Sequence, residues 1–468
     1  MNRSGESLDF YKKVFKLALP IAAQSLITIG VNMLDTMMVG SLGDDPLSAT
    51  SLGNSFISIF QIFCMGLGMG ASVLVSRYWG MKHSSETDKE KEDASLALKQ
   101  TVCLMLRLTL ILASLFALAT FFIPNLIMRT YTDEAPIIKD GIRYLRYSVV
   151  TYYFVGLSLV VTIVLRSVGQ VLFPLFVSIG AFFVNLIMNY VLIFGKFGAP
   201  RLEVAGAALG TLIARVFEFV MIVGYLLFFD RKVFFRIKDL FMKTKSLLGE
   251  YIRISIPVLI SDGILALGNN SVAMVIGHIG GTFVAANAIT SVTQQLSTVV
   301  ISGVSQAGAI VTGITLGEGD REKTMRQGYR FFGLGLVLGL ISAGFIVLFS
   351  GPIIGFYTNV SDETVATAKQ LMNAISLILV FQGTNSIMTK GVLRGGGDTK
   401  ILMLADNIFL WILAIPLGIL AGFVFHMSAF WIYIFLKSDQ IVKTFWSFIR
   451  LRSRKWIKKI STGETKTA

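Results

Sequence analysis

The sequence is poor in charge. Of its 468 residues only 15% are Asp, Glu, Lys or Arg, against about 25% in an ordinary soluble domain, which excludes a soluble fold. Cysteine is scarce too: Cys64 and Cys103 both lie in apolar stretches, so there is no disulfide framework. The three histidines, His83, His278 and His426, are far apart in the chain and give no zinc-ligand spacing. The phosphate-loop lysine motif is missing as well, which argues against ATP as the direct energy source and against a nucleotide partner. A cleavable leader is not expected, because a hydrophilic stretch from Met1 to Lys16 precedes an apolar run of full spanning length.

What the chain has is apolar length. At 54% hydrophobic it has room for roughly twelve spans of about 20 residues each, with little left for an extramembrane domain. The expected class is an all-α polytopic membrane protein. Apolar windows and their breaks predict twelve transmembrane helices near 17–41, 52–79, 98–124, 143–165, 171–195, 206–229, 255–280, 286–316, 329–351, 368–392, 401–424 and 427–447.

The formal net charge of +14 reads as a topology signal rather than a nucleic-acid surface, because Lys and Arg gather between apolar runs. They occur before the first span (Lys12, Lys13, Lys16), after the second (Lys82, Lys89, Lys91), after the sixth (Arg231, Lys232, Arg236, Lys238, Lys243, Lys245) and in the tail (Arg450, Arg452, Arg454, Lys455, Lys458, Lys459). All four fall on one side, and Ser41 to Pro46 on the other carries none; the loop from Arg129 to Arg146 is mixed. Positive loops stay inside, so a plasma-membrane protein with both termini cytoplasmic is expected.

An internal repeat underlies the pattern. An offset of 237 pairs Pro20 with Pro257, Asn32 with Asn269, Gly40 with Gly277, Gly43 with Gly280, Gly66 with Gly303 and Gly80 with Gly317. Beyond the charged loop at 82–93 the offset is 228, pairing Pro124 with Pro352 and Val164-Leu165-Arg166 with Val392-Leu393-Arg394. Two six-helix lobes with the same orientation imply a pseudo-two-fold axis along the membrane normal and a substrate path between or within them. The expected division is 1–230 for the amino-terminal lobe, 231–254 for a cytoplasmic linker, 255–450 for the carboxy-terminal lobe and 451–468 for a basic tail. This layout favours an alternating-access transporter over an enzyme, whose chemistry would need paired acids or a histidine within reach of one another.

Polar groups inside a bilayer are costly unless paired, so each intramembrane acid is a functional candidate. Asp35, Glu218, Asp262 and Asp406 fall well inside predicted spans. Gln24, Thr28, Asn32 and Asp35 share one helical face, as the wall of a wet cavity would. Asn185 with Asn189, and Ala207 with Thr211, are each one turn apart, and the predicted directions put Asp35, Asn189 and Thr211 roughly 6–9 Å below the outer surface. A carboxylate with amide and hydroxyl oxygens at one depth suits a proton or a small hard cation, although such residues also serve as helix-to-helix hydrogen bonds.

Glu218 has Arg215 three residues earlier and can pair with it. Asp262, just past Pro257, is a second cation or substrate candidate, and Asp406 near Lys400 is read as solvated or paired. Arg166 and Arg394 occupy equivalent turns, where they could cap helix ends or bind lipid phosphate. Gln294 and Gln295 give the eighth span a polar face. Met65 and Met69, with Phe56, Phe60 and Phe63, give the second a face suited to flat lipophilic ligands, unless these residues simply pack helices.

The whole chain resembles the multidrug and toxic-compound extrusion (MATE) family. The resemblance rests on Ala18-Leu19-Pro20, Val31 to Thr36 leading to Val39-Gly40, the two Val-Leu-Arg turns, Asn189 to Gly195, Gly206 to Thr211, and Trp411 ahead of Pro416-Leu417. It implies an antiporter that expels cationic or lipophilic compounds as protons or sodium ions enter, with no cofactor. Asp35 matches the coupling acid of the DNA-damage-inducible branch and would be the metal ligand under sodium coupling; Asn185, Ala207 and Thr211 match its companions. Asn189 departs from that branch, which often has Asp there, and Asn385 departs from the other branch in the same way. A lipid-linked precursor flippase of the same superfamily is the alternative; it would call for a more cationic cavity than Arg215 alone supplies.

Overall fold

Inside hydrocarbon, backbone polar groups must bond within their own segment or within a closed barrel. The computed structural model describes residues 3–355 and 361–458, and among these there is no strand. Lys459 and the rest of the expected tail lie outside the described residues. The helices are α1 (Arg3–Gly40), α2 (Asp44–Ser84), α3 (Asp88–Phe122), α4 (Pro124–Arg129), α5 (Ala135–Ser148), α6 (Thr151–Ser167), α7 (Leu172–Phe194) and α8 (Val204–Gly224). They continue with α9 (Lys245–Ile279), α10 (Gly281–Gly317), α11 (Arg321–Gly355), α12 (Asp362–Ser386), α13 (Thr399–Asn407), α14 (Ile415–Ile419), α15 (Ala429–Leu436) and α16 (Ser438–Arg452).

Among the described residues ten helical stretches are long and apolar enough to cross a membrane, and α5 with α6, bent by 58°, makes an eleventh. The twelfth expected span is α15 followed by α16, each short of spanning length on its own. The eleventh expected span is the least regular: π-helical turns Ile408–Ala414 and Leu420–Val424 flank α14. Pro416, inside α14, can donate no backbone hydrogen bond, and wide turns of this kind absorb such a gap.

Two compact units emerge, one of residues 23–82 and 86–259, the other of 3–22, 83–85 and 260–458. In the first, the basic stretch after α8 is tied to α3: Arg107 donates from Nε and Nη2 to the Leu240 carbonyl at 3.0 and 2.5 Å, and Lys99 pairs with Asp239 at 3.3 Å. In the second, Leu371, Ile375, Ile378 and Leu379 of α12 are fully buried in a core shared with Val272, Leu410, Ala414 and Tyr433.

The repeat is visible in hydrogen bonds. Gly169 and Gly397 both take left-handed backbone, with φ of 76° and 86°, and each N–H donates 2.9 Å to the carbonyl of its arginine, Arg166 or Arg394. Glycine suits this helix-ending turn because it has no β-carbon to clash.

Close helix approach within the second unit also depends on glycine. A β-carbon at Gly339 of α11 would lie 2.7 Å from the Val380 carbonyl of α12 and 2.8 Å from that of Leu379, and small residues at such crossings let backbones meet in lipid. Gly339→Val is therefore expected to destabilise the protein by about 1–3 kcal/mol, read as a lower melting temperature in detergent. An unchanged melting temperature would show that α11 and α12 can part without cost.

Candidate functional site

In the unit of residues 23–82 and 86–259, Asp35 meets the α7 pair. Asn189 donates from Nδ2 to Asp35 Oδ1 at 2.6 Å and, at 3.4 Å, to Asn185 Oδ1. Both asparagines are buried, and Asn189 Oδ1 has no hydrogen-bond partner among the described residues. The α8 segment Gly206-Ala207-Ala208-Leu209-Gly210 makes room for this: a β-carbon at Gly210 would collide with Asn189 Oδ1, and one at Gly206 would lie 2.5 Å from the Leu192 carbonyl. Ala207 packs with Val39 and Ile193.

Asp35, Asn32, Ala207, Thr211 and Arg215 line a cavity of about 560 Å³. Its opposite wall is the hydroxyl face of α2, with Ser48, Ser51, Ser55 and Ser58 beside Asn54 and Gln61. Two of these serines, and Thr50 in the same lining, spend their proton on their own helix: Ser55 donates to the Ser51 carbonyl at 3.0 Å, Ser58 to that of Asn54 at 2.8 Å, and Thr50 to that of Pro46 at 3.0 Å. Their lone pairs remain available, beside the amide groups of Asn54 and Gln61. Arg215 faces the cavity but donates from Nη1 to Glu218 Oε2 at 2.7 Å, the pairing expected from their spacing.

The polar stripe on α1 divides. Asn32 and Asp35 face the large cavity, whereas Thr28 lines a smaller one of about 50 Å³ with Asn185 and Glu218. Gln24 lines neither; it donates to the Pro174 carbonyl at 3.1 Å and Ser178 Oγ at 2.6 Å, and accepts from Arg166 Nη2. Arg166 thus meets a side chain of its own unit rather than serving only to cap a turn. On α2 the apolar face is a packing surface: Phe56, Phe60 and Phe63 stack around Phe116, with ring centroids 5.4, 5.4 and 6.2 Å away. Met65 and Met69 line none of the cavities described. The serine face of the same helix went unread in the sequence, although its spacing of three, four and three residues is a helical stripe.

In the other unit, Asp262 is bound by Arg394, whose Nη2 and Nη1 lie 2.9 and 3.3 Å from its two oxygens. Asp406 pairs not with Lys400 but with Lys443 Nζ at 3.0 Å, and accepts from Ser261 Oγ at 2.8 Å. Lys443 also reaches Asp439 at 3.2 Å. Asp439, which is buried, was not among the sequence candidates, although it falls inside the predicted span 427–447. Asp406, Asp439 and Lys443 line a cavity of about 180 Å³ with Lys390, Lys437 and Gln294, so cationic groups inside the protein are more numerous than Arg215 alone. Gln294 donates to Gln382 and accepts from Tyr433 OH, both at 3.0 Å; Gln295 is exposed and outside this lining.

The MatE family model matches residues 20–191 and again 257–420, one match in each copy of the repeat. This chain belongs to the MatE family. A probable multidrug resistance protein NorM of Thermotoga maritima is 27% identical over 457 residues, covering 96% of this chain and 94% of the relative. The multidrug resistance protein NorM of Burkholderia vietnamiensis is 27% identical over 406 residues, covering 86% and 85%. Among solved structures, an outward-facing multidrug resistance MATE transporter superposes with a TM-score of 0.82 at 20% identity, over 95% of this chain and 96% of that one. A MATE protein in complex with MaL6 gives 0.80 at 21%, over 95% and 97%. The MatE protein described here is accordingly a multi-pass membrane transporter and not an enzyme.

The Arg394–Asp262 pair gives this transporter a measurable dependence. With Arg394 5% and Asp262 20% exposed, Arg394→Ala strands a carboxylate and is expected to cost about 3–5 kcal/mol of stability. Adding Asp262→Ala should recover a substantial part, as measured by thermal unfolding of both variants. Equal losses in the single and double variants would show that the pair contributes packing alone.

Proposed function

We propose that the protein is a secondary active antiporter of the plasma membrane, with both termini cytoplasmic, that exports cationic or lipophilic compounds by alternating access in exchange for protons or sodium ions. The observation that carries this reading is the Asp35–Asn189 contact at the wall of a hydrophilic cavity. Asp35 supplies the charge that exchanges. Asn189 Oδ1, Asn185 and Thr211 offer neutral oxygens to a hard cation, while a lone carboxylate among neutral groups equally suits a single proton.

The lining also favours a cationic cargo. Hydroxyl groups whose protons are bound to helix carbonyls can only accept, so a bound amine or ammonium meets lone pairs on the α2 side and a carboxylate on the α1 side. An arriving coupling ion at Asp35 neutralises that carboxylate and weakens the hold on the cargo. The effect is reciprocal: cargo must equally weaken the ion.

The test is efflux of a cationic dye from proteoliposomes under a proton gradient alone and under a sodium gradient alone. Efflux under one of them, abolished in Asp35→Asn with the variant still folded, is the expected result. Full efflux in Asp35→Asn would overturn the assignment of Asp35, and no efflux under either gradient would transfer the reading to a lipid-linked precursor flippase.

A further inference from the structure

The unit of residues 3–22, 83–85 and 260–458 buries a charge cluster that the transport reading does not use. Lys443 of α16 is 2% exposed, and its ammonium lies 3.0 Å from Asp406 Oδ1 and 3.2 Å from Asp439 Oδ2. The two carboxylates come from different helices, α13 and α16, and share that one cation. A buried ion group of this kind is weak as a source of stability, because withdrawing three charges from water costs more than a well-packed apolar replacement would.

Two further observations concern the oxygens around this cluster. Asp439 Oδ2 accepts from Gln440 Nε2 at 2.7 Å, and Gln440 Oε1 in turn accepts from Asn385 Nδ2 at 2.7 Å. That leaves Asp439 Oδ1 and Asn385 Oδ1 without hydrogen-bond partners among the described residues. Both residues are more than nine-tenths buried, and both line the cavity of about 180 Å³. Buried acceptors left over in this way are rare and call for an explanation. Two carboxylates, one of them carrying an idle oxygen, with a spare amide oxygen beside them, are the donor set of a hard cation.

We propose that Lys443 is a tethered counter-ion that fills a latent site for a monovalent cation, built from Asp406 and Asp439 with Asn385 beside them. A single positive charge is what the lysine supplies, so a single positive charge is what its removal releases room for. The functional consequence is that this unit carries its cation permanently, leaving exchange with a mobile ion to the other unit. That last clause rests on the proposed role of Asp35; the site itself does not.

The experiment removes both ions' usual claimants in turn. Asp35→Asn and Asp35→Asn with Lys443→Ala are purified as full-length protein, and their melting temperatures are compared in sodium chloride, ethylammonium chloride and N-methylglucamine chloride at equal concentration. The double variant is expected to melt about 2–4 °C higher in the first two salts than in the third, and Asp35→Asn alone to show no difference. A folded double variant indifferent to the cation overturns the proposal, as does an equal shift in Asp35→Asn alone. Should Lys443→Ala unfold in N-methylglucamine, recovery of monodisperse protein in sodium or ethylammonium supports the site, and recovery in no salt overturns it. Dye efflux is not read, so the outcome is separate from the fate of the antiport reading.

Discussion

An arginine at the end of one helix, reaching back to a polar side chain just beyond the proline of another, is the contact around which each unit is arranged. Arg166 meets Gln24, four residues after Pro20, and Arg394 meets Asp262, five after Pro257. A guanidinium so far from water is tolerable only with such a partner. In the first unit this contact sets more than its own surroundings. Gln24 also donates to Ser178 of α7, and the sequence separation between those two residues, 154, is the same as between Asp35 and Asn189. Helices α1 and α7 therefore run in one register, pinned near the proline, and that register delivers Asn189 to Asp35 about three turns further on. Gln24 is a positioning residue rather than part of the cavity wall.

Register also explains how much of the molecule could be read from residues alone. Spans were legible because hydrocarbon demands long apolar runs, and the repeat because proline, glycine and asparagine recur at fixed offsets. The Asp35, Asn189, Thr211 level was legible because counting residues at a fixed rise gives depth. Sideways placement was not. In α2 the sequence offers a serine stripe and a phenylalanine–methionine stripe on different sides, and a lipid tail is as apolar as a protein core, so periodicity alone does not say which side faces inward. The same limit hid Lys443. Its partners stand on another helix and at the start of its own, and a lysine next to a predicted membrane boundary resembles a snorkelling residue until the packing is seen.

The two copies have diverged in how they hold charge. In the first unit the acid at the cavity wall is met by a neutral amide, and Arg215 in the same lining is committed to Glu218. In the second unit the acids are met by fixed cations, Arg394 for Asp262 and Lys443 for Asp406 and Asp439. One repeated layout thus holds an acid against a neutral amide in one unit and acids against cations of the chain in the other. Equal helices do not imply equal roles.

Helix α1 has a mechanical character set by its side chains. Pro20 withholds one rung of the backbone ladder, and Thr28 and Thr36 each donate to the carbonyl four residues earlier, at 3.0 and 2.8 Å, a type of bond that competes with the ladder and favours curvature. The three positions are spaced along the part of the helix that leads to Asp35 and just past it. The backbone ladder of α1 is consequently weakened at intervals along its length rather than at a single joint.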